Sequence, residues 1–331
     1  MKIILTTGDP NGIGIEILAK SLLKIQNDDS FEQCEFTVCG NSRILYEYLQ
    51  KIKIDSTISE NKIELGKKFY SILPCEYYYP VSFGKESADA GKAAAESIEK
   101  TLERAIKSEF DALVTMPISK AAIYKSGWKY PGHTEMLADR CNVSTPLMIL
   151  CTRDVRVALT TVHIPISEVS KLLTKELLVN ISKQFNDSLI KDYSITSPSI
   201  AFLGLNPHSG EAGAMGSEEI KLITPAINEC RRIGINVNGP HPADGFFAHG
   251  SYKNYDGIVA MYHDQGLIPL KMIASGAGVN FTAGLPIVRT SPDHGTAFEI
   301  AGKGLADETS ALEAIRLAIE IANNREKNQN V

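Results

Sequence analysis

The chain contains 331 residues, of which 34 are Lys or Arg and 39 are Asp or Glu, giving a formal charge of −5. With 44% hydrophobic and 22% charged residues, its composition is that of an ordinary globular protein, which excludes disorder, collagen-like repeats and coiled coil as descriptions of the whole chain. The acidic balance argues against nucleic acid or an anionic membrane as a general partner, since both require a basic face. At this length we expect two domains or one large α/β unit.

The sequence predicts neither export nor a membrane span. No apolar run approaches the ~18 residues that a membrane-spanning helix requires. Residues 1–9 pass from a short apolar run directly into turn-forming residues, which predicts a first β-strand and not a signal peptide. The six cysteines are scattered and form no Cys-x-x-Cys pair, so we expect free thiols and a cytoplasmic protein.

Apolar, β-branched runs alternate with amphipathic segments along the chain. Strands are predicted at 2–6, 35–39, 111–116, 155–162, 199–205 and 257–262. Helices are predicted at 91–108, 167–190, 217–233 and 309–323. Because near-continuous apolar strands separated by helices are typical of parallel sheets covered on both faces, the pattern predicts an α/β fold. Residues 60–79 give no clear pattern, and the polar tail 324–331 is predicted to fray.

Three of the seven histidines follow predicted strands. His163, His208 and His263 each come after the carboxyl end of an apolar run, and ligands bind at that edge of an open α/β sheet. Three imidazoles that leave a fourth position open suit a catalytic divalent metal. The acids Glu211 and Asp264 could orient a ring through its second nitrogen. The wide spacing matches no short zinc signature, so a hydrogen-bonded loop residue is the rival interpretation for each histidine.

Residues 130–138 predict a turn that opens a helix. Backbone N–H groups at that helix start, together with the side chains of His133 and Thr134, would suit a phosphate or carboxylate. An ordinary threonine N-cap is the alternative.

Further candidates for anion binding lie downstream. Lys271 and Arg289 each follow an apolar run, and Asn280 lies in a glycine-rich loop. A cation in such a position needs an anionic partner or solvent. A surface salt bridge is the alternative for both cations.

Two glycine-containing turns invite a nucleotide-binding interpretation. Residues 8–14 have the order Gly-x-x-x-Gly-x-Gly, which is neither the Rossmann fingerprint nor a P-loop. Residues 291–298 form the second turn. The sequence contains no Gly-x-Ser-x-Gly motif and no cysteine with a nucleophile signature, which disfavours covalent hydrolysis.

Taken together, the motifs are specific. In chain order they read TTGDPNGIGIEI (6–17), PISK (117–120), YPGHTEMLA (130–138), LTTVHIP (159–165), GLNPHSGEAGAMGSEE (204–219), GPHPADGFF (239–247), YHDQGLIPLK (262–271) and GVNFTAGLPIVRTSPDHGTAFEIAGKG (278–304). With these motifs over nearly its whole length, the chain resembles the 4-hydroxythreonine-4-phosphate dehydrogenase family of vitamin B6 biosynthesis. It departs from the family's usual residues at Asn11, where a small residue is common, and at Glu299, where Asp is usual.

The resemblance assigns roles to matching positions. It implies three metal ligands, which are His163, His208 and His263. It implies five substrate-binding residues, which are His133, Thr134, Lys271, Asn280 and Arg289. Similarity to related dehydrogenases implies a cofactor-binding turn at His294, Gly295 and Thr296. As a hypothesis of our own, Lys271 is the catalytic proton shuttle, poised by Asp264.

The resemblance also implies an architecture. It predicts two α/β/α domains with a cleft between them, as in isocitrate and isopropylmalate dehydrogenases. We place the first domain at residues 1–130 plus 290–331 and the second at 131–289. The family resemblance further implies a homodimer with the active site at the subunit interface, metal ligands shared between subunits, one divalent metal (Zn, Mg or Co) per site, and NAD or NADP as cofactor.

The expected reaction is oxidation of a small phosphorylated hydroxy amino acid, 4-(phosphooxy)-L-threonine, to 2-amino-3-oxo-4-(phosphooxy)butanoate. That product then decarboxylates to 3-amino-2-oxopropyl phosphate. Close alternatives are dehydrogenases of threonate or erythronate 4-phosphate or of an aromatic dihydrodiol. Alternatives from other classes are a metal-dependent lyase or hydrolase and a non-catalytic metabolite-binding protein.

Overall fold

A computed structural model describes residues 1–130 and 132–329 of the chain. The strands are β1 (Lys2–Thr6), β2 (Glu35–Gly40), β3 (Ser56–Ile58), β4 (Lys62–Leu65), β5 (Lys68–Pro74), β6 (Ala112–Val114), β7 (Leu147–Cys151), β8 (Arg156–Leu159), β9 (Ile200–Leu203), β10 (Val237–His241), β11 (Gly257–Ala260), β12 (Val279–Ala283) and β13 (Arg289–Pro292). The α-helices are α1 (Gly14–Ile25), α2 (Ser42–Lys51), α3 (Ala88–Ile106), α4 (Lys120–Lys125), α5 (His133–Arg140), α6 (Ile166–Leu172), α7 (Lys175–Lys191), α8 (Thr224–Arg232), α9 (Ala243–Ala248), α10 (His263–Ala274) and α11 (Thr309–Gln329). The α/β fold class is therefore confirmed, and each of the six predicted strand segments contains a strand.

The first compact unit comprises Met1–Pro146 and Leu285–Ala322. Its strands lie in the order β13-β6-β1-β2-β5-β4-β3, parallel as far as β5 and antiparallel beyond it. Helix α3 begins where the Ser87 side chain accepts a hydrogen bond from Ala90 N, and its alanine-rich face is buried. Ile98 of this helix packs in one apolar cluster with Ile4 and Leu113 of the sheet.

The second unit comprises Leu147–Gly284 together with the chain from Asn323 onward. Its strands lie in the order β10-β9-β11-β8-β7-β12. Strands β10, β9, β11 and β8 pair in parallel, whereas β7 pairs antiparallel with both β8 and β12. Its core joins Leu159, Leu203 and Ile258 of the sheet to Leu267 and Leu270 of α10. β9 and β11 are buried along their whole length and β8 is buried from Val157 onward, as the apolar runs predicted.

The bounds of the two units differ from the predicted segments because of apolar packing. The sequence placed the first transition after residue 130, but Met136 and Leu137 of α5 pack with Ile4 and Leu113, so α5 belongs to the first unit. Leu285 packs in the same cluster, which moves the second transition to before residue 285 from the predicted position after residue 289.

Three predicted elements take a different form. The helix predicted at 167–190 is divided, because Leu173 is extended and Thr174 caps α7. The helix predicted at 217–233 opens with a π-helical turn at Glu219–Ile223 before α8 begins. The tail does not fray at 324–329, because Arg325 is buried against Asp192 (2.7 Å) and α11 continues to Gln329; residues 330–331 lie outside the described part.

Residues 60–79, which gave no clear pattern, contain the antiparallel pair β4 and β5. None of the helices in the described ranges is both long and apolar enough to cross a bilayer. The six cysteines are free thiols, as expected.

Candidate active site

The three histidines of the predicted metal site follow three neighbouring strands of the second unit. β8, β11 and β9 are adjacent and parallel, with β11 in the middle. His163 follows β8, His263 follows β11 and His208 follows β9. The carboxyl ends of all three strands therefore meet at one edge of the sheet, which is the position expected for a ligand site.

Two of these imidazoles lie together. The ring centres of His163 and His263 are 6.2 Å apart, at 41° to one another. Both residues line a pocket of about 350 Å³ with Thr161, Tyr262 and Asp264. Asp264 Oδ1 lies 2.7 Å from His263 Nδ1, so the carboxylate orients that ring and leaves its Nε2 for a ligand.

His208 is presented by an unusual backbone segment. Residues His208, Ser209, Gly210, Glu211 and Ala212 all have left-handed conformations, with φ from 41° to 79°. Such a conformation costs ~1 kcal/mol or more for each non-glycine residue, so a run of this kind persists only where other contacts enforce it. The His208 side chain is exposed at this position.

The donor chemistry fits a divalent cation in part. Imidazole nitrogens suit zinc or cobalt better than magnesium, which prefers oxygen ligands. Two rings at the observed separation could share one ion after a small rotation. Within residues 1–130 and 132–329 of one chain, however, no group of three His, Cys, Asp or Glu side chains is arranged to hold a metal.

Two further predicted residues belong to the second unit. Lys271 is exposed in the last turn of α10, a helix that begins at His263. Asn280 lies on β12, where its Oδ1 atom is buried and finds no hydrogen-bond donor among the described residues. A buried acceptor of this kind costs ~1–3 kcal/mol unless a ligand or water satisfies it.

In the first unit, Arg289 and Lys120 form a cationic cluster beside His133, in which Arg289 is buried, His133 is half-buried and Lys120 is exposed. Arg289, which is 2% exposed, donates from Nε and Nη2 to Thr115 Oγ1 at 3.0 and 2.7 Å. Burial lowers the pKa of Arg289 to about 10, against the favourable charge of Glu135. The pKa of His133 lies well below its ordinary value because of burial first and then the positive charges of Arg289 and Lys120. His133 is therefore neutral at neutral pH.

Lys120 is a member of this cluster to which the sequence analysis assigned no role. It is the first residue of α4, and its Cε would lie 3.4 Å from a Cβ placed on Gly132. Lys120 is the last residue of the PISK motif, which was the only sign of its importance in the sequence. Local sequence does not show that Lys120 lies near His133. Two cations and a neutral imidazole in one place favour an anionic ligand.

Helix α5 does not begin with Thr134 as its N-cap, which was the alternative interpretation of this segment. Gly132 is the N-cap, no side chain caps the helix, and Thr134 lies within the first turn. Pro131 of the predicted turn lies outside the described residues. His133 Nε2 is buried and has no hydrogen-bond partner in the described part of the chain.

The predicted cofactor turn packs on the first glycine-rich loop of the same unit. Thr296 O accepts a hydrogen bond from Ile13 N at 3.0 Å, and a Cβ on Gly12 would lie 2.8 Å from Thr296 O. His294 Nδ1 lies 3.0 Å from Gly295 O, whereas its buried Nε2 has no partner among the described residues. An unpartnered buried nitrogen beside an open glycine fits a nucleotide-binding turn.

That loop carries two buried polar residues to which the sequence analysis gave no role. Asn11, the family departure noted above, accepts hydrogen bonds from Tyr79 Oη and Ser82 N and donates to Lys85 O and Ser87 Oγ. It therefore fixes the segment that follows residue 79. Asp9 is 1% exposed, and burial raises its pKa to about 6.

Comparison with known proteins places the chain in a family. The family model described as pyridoxal phosphate biosynthetic protein PdxA matches residues 32–318. The chain is 41% identical to a 4-hydroxythreonine-4-phosphate dehydrogenase of Bacteroides thetaiotaomicron, covering 99% of this chain and 90% of that protein.

Two solved structures are similar over nearly the whole chain. The 4-hydroxythreonine-4-phosphate dehydrogenase of Burkholderia phymatum is 38% identical with a TM-score of 0.77, covering 97% of this chain and 98% of that one. A terephthalate 1,2-cis-dihydrodiol dehydrogenase of Burkholderia xenovorans is 28% identical with a TM-score of 0.61, at the same coverage of 97% and 98%. The chain belongs to the PdxA family and is a dehydrogenase, as its motifs predicted.

Proposed function

We propose that this chain oxidises 4-(phosphooxy)-L-threonine to 2-amino-3-oxo-4-(phosphooxy)butanoate, which decarboxylates to 3-amino-2-oxopropyl phosphate, in pyridoxal phosphate biosynthesis in the cytoplasm. The observation that carries the proposal is the pairing of His163 and His263 at the carboxyl edge of the second unit's parallel strands. The names of its relatives support the choice of substrate.

The metal ligands of the proposed site are His163, His208 and His263. Because one chain offers two adjacent rings, we propose that the enzyme is a homodimer whose site at the subunit interface takes its third imidazole from the second copy. A divalent cation, for which imidazoles favour zinc or cobalt over magnesium, would lower the pKa of the substrate hydroxyl and polarise the developing carbonyl. Asp264 supports the site by orienting His263.

The anionic groups of the substrate are assigned to the cationic cluster of the first unit. Arg289, Lys120 and the neutral His133, with Thr134 beside it, would bind the phosphate or carboxylate. The fork of Arg289 matches two oxygens of either group. Asn280 would accept a hydrogen bond from the polar middle of the substrate, because its buried Oδ1 lacks a protein donor in the described residues.

NAD or NADP is assigned to the turn at His294, Gly295 and Thr296. When bound there, the nicotinamide would supply the hydride acceptor for the carbon that bears the substrate hydroxyl. We propose that Lys271 is the proton shuttle that takes up the proton of the substrate hydroxyl. The carboxylate of Asp264 is engaged by His263, so we expect Asp264 to act through that ring more than through Lys271.

A substrate panel tests this function. With 4-(phosphooxy)-L-threonine and a divalent metal, we expect the protein to reduce NAD or NADP, which is measured by the absorbance of the reduced cofactor. We expect H163A to lose both bound metal and turnover. Faster turnover of threonate or erythronate 4-phosphate, or of a cis-dihydrodiol, would reassign the substrate, and the similarity to the dihydrodiol dehydrogenase is the reason to include the latter. Conversion of the substrate without a nicotinamide cofactor would support a lyase or hydrolase.

A further inference from the structure

Glu219 is a buried carboxylate that binds the segment carrying His208. It is 3% exposed and lies at the start of the π-helical turn that precedes α8. Its Oε1 accepts hydrogen bonds from Leu205 N at 2.8 Å and from Asn206 N at 2.7 Å, and its Oε2 accepts from Asn206 Nδ2 at 2.9 Å. Three donors thus converge on one charged group just before the left-handed run begins.

The same carboxylate also contacts the middle of the run. A Cβ on Gly210 would lie 2.6 Å from Glu219 Oε2, so the glycine backbone packs directly against the carboxylate. Gly210 has φ +79°, a conformation that glycine adopts without steric cost. Glu219 therefore contacts the segment on both sides of His208.

We propose that Glu219 is a positioning residue for His208, in that its carboxylate holds Leu205, Asn206 and Gly210 on either side of that residue and so fixes the left-handed run 208–212 that presents the imidazole. The inference rests on the proposed function, in which His208 is a metal ligand. Groups that orient a metal ligand contribute to metal affinity without touching the ion, and their loss typically weakens binding ~10–100-fold.

Glu219→Gln is the direct test, since it keeps the size of the side chain. The Gln amide oxygen can still accept from Leu205 N and Asn206 N, but its NH₂ group then faces Asn206 Nδ2, which is itself a donor. Asn206 Nδ2 also donates to Glu218 Oε2 at 2.8 Å. If the Asn206 amide flipped to offer its oxygen to the new NH₂ group, it would lose this hydrogen bond. The variant therefore disrupts the network while preserving volume.

Glu218→Gln is the matched control. Glu218 is the adjacent residue, carries the same charge and contacts the same Asn206, but it is half-buried and makes no bond to the backbone at 205–206. We expect full-length E219Q to bind Co²⁺ ~10–100-fold more weakly than wild type, with an altered visible absorption spectrum, and E218Q to match wild type within ~3-fold. Co²⁺ affinity is measured by competition with a chelator, and circular dichroism checks that each variant is folded.

The outcomes separate the two ideas. Wild-type affinity and spectrum in folded E219Q would overturn the role of Glu219. If wild type itself bound no Co²⁺, or if H208A bound it equally well, the proposed metal site would be at fault instead. Should E219Q fail to fold, Gly210→Ala, which pushes a methyl group against the same carboxylate, decides the matter, and unchanged Co²⁺ affinity in folded G210A would refute the inference.

Discussion

Asp9 is a buried carboxyl group whose ionisation opposes folding. Its Oδ1 accepts a hydrogen bond from Asn11 N at 2.9 Å, but its Oδ2 is buried without a partner in the described residues. Burial raises its pKa from 3.8 to about 6, with a smaller contribution from the charge of Glu86. Because the folded-state pKa exceeds the unfolded one, the protonated group favours folding below about pH 4, and this contribution is lost as the pH rises through 6.

Asp9→Asn should therefore stabilise the protein in a pH-dependent way. The amide keeps the acceptor for Asn11 N and carries no charge at any pH. We expect little difference from wild type near pH 4 and a gain of up to ~3 kcal/mol above pH 7, from about two pKa units at ~1.4 kcal/mol each. Thermal unfolding of the full chain at both pH values measures it.

Asp28 provides a control of opposite sign. The Ser30 hydroxyl and Arg316 lower the pKa of this half-buried carboxyl to about 2. D28N should give no gain in stability at neutral pH. A D9N effect that is the same at both pH values would show that ionisation of Asp9 is not its cause.

Lys120→Met tests the cationic cluster at the level of a single charge. Removing this cation should raise KM for the phosphorylated substrate ~10-fold and move the pKa of His133 upward, since Lys120 is one of the charges that depress it. KM comes from steady-state kinetics, and the His133 pKa comes from NMR titration. Lys125→Met is the control, because Lys125 lies on the same helix but pairs with Glu86. Equal effects of K120M and K125M would remove Lys120 from the anion site.

Of the two cations in this cluster, the sequence predicted one and missed the other. Arg289 was predicted because a cation directly after an apolar run needs a partner. Lys120 was not, because its relation to His133 arises only when α4 and α5 pack in the first unit. The buried state of Asp9 is likewise a property of the folded loop, since Gly-Asp-Pro alone is an ordinary turn.

Among the secondary-structure elements, the strands were easier to predict from the sequence than the helices. Each apolar run before a key histidine became a buried parallel strand, because burial on both faces requires continuous apolar sequence. The helix at 167–190 was predicted too long, since the amphipathic pattern continues through Leu173 and only the Thr174 cap reveals the break. The left-handed run at His208 has no local signature, because four of its five residues are not glycine.

Helices α3 and α4 contact each other through backbone at Gly91. A Cβ on this residue would lie 2.1 Å from Ala122 O and 2.7 Å from Ile123 N, so the helices pack without an intervening side chain. We expect Gly91→Ala to lower the free energy of unfolding by ~3 kcal/mol despite the better helix propensity of alanine. Because α4 begins at Lys120, we also expect a higher KM for the phosphorylated substrate.

Gly245→Ala is the matched control for Gly91→Ala. Gly245 lies in α9, and a Cβ there would meet its nearest atom at 3.6 Å, an ordinary contact. G245A should leave stability unchanged or raise it by ~0.5–1 kcal/mol. Chemical denaturation compares the two variants, and equal stability of G91A and wild type would mean that the helices can separate at little cost.

Under the proposed function, a second copy of the chain completes the metal site. His163 and His263 face the same pocket, whereas no third ligand joins them in the described residues of a single copy. The resemblance implied shared ligands, but neither pattern nor spacing indicates which subunit supplies which imidazole. That assignment depends on how two folded copies meet.

Mixing two inactive variants tests the shared site. We expect H163A and H208A each to lack bound metal and turnover. In a hybrid dimer, one site would lose both histidines and the other would retain His163 and His263 of one subunit and His208 of its partner. With random reassortment half of the dimers are hybrid and each has one intact site, so the mixture should recover about a quarter of wild-type activity and of bound metal. The control is a mixture of H163A with H263A, whose ligands come from the same subunit in this arrangement and which should recover nothing. Subunit exchange is verified by mass spectrometry after the two variants are refolded together. If neither mixture then recovers activity, each site draws all three imidazoles from one chain.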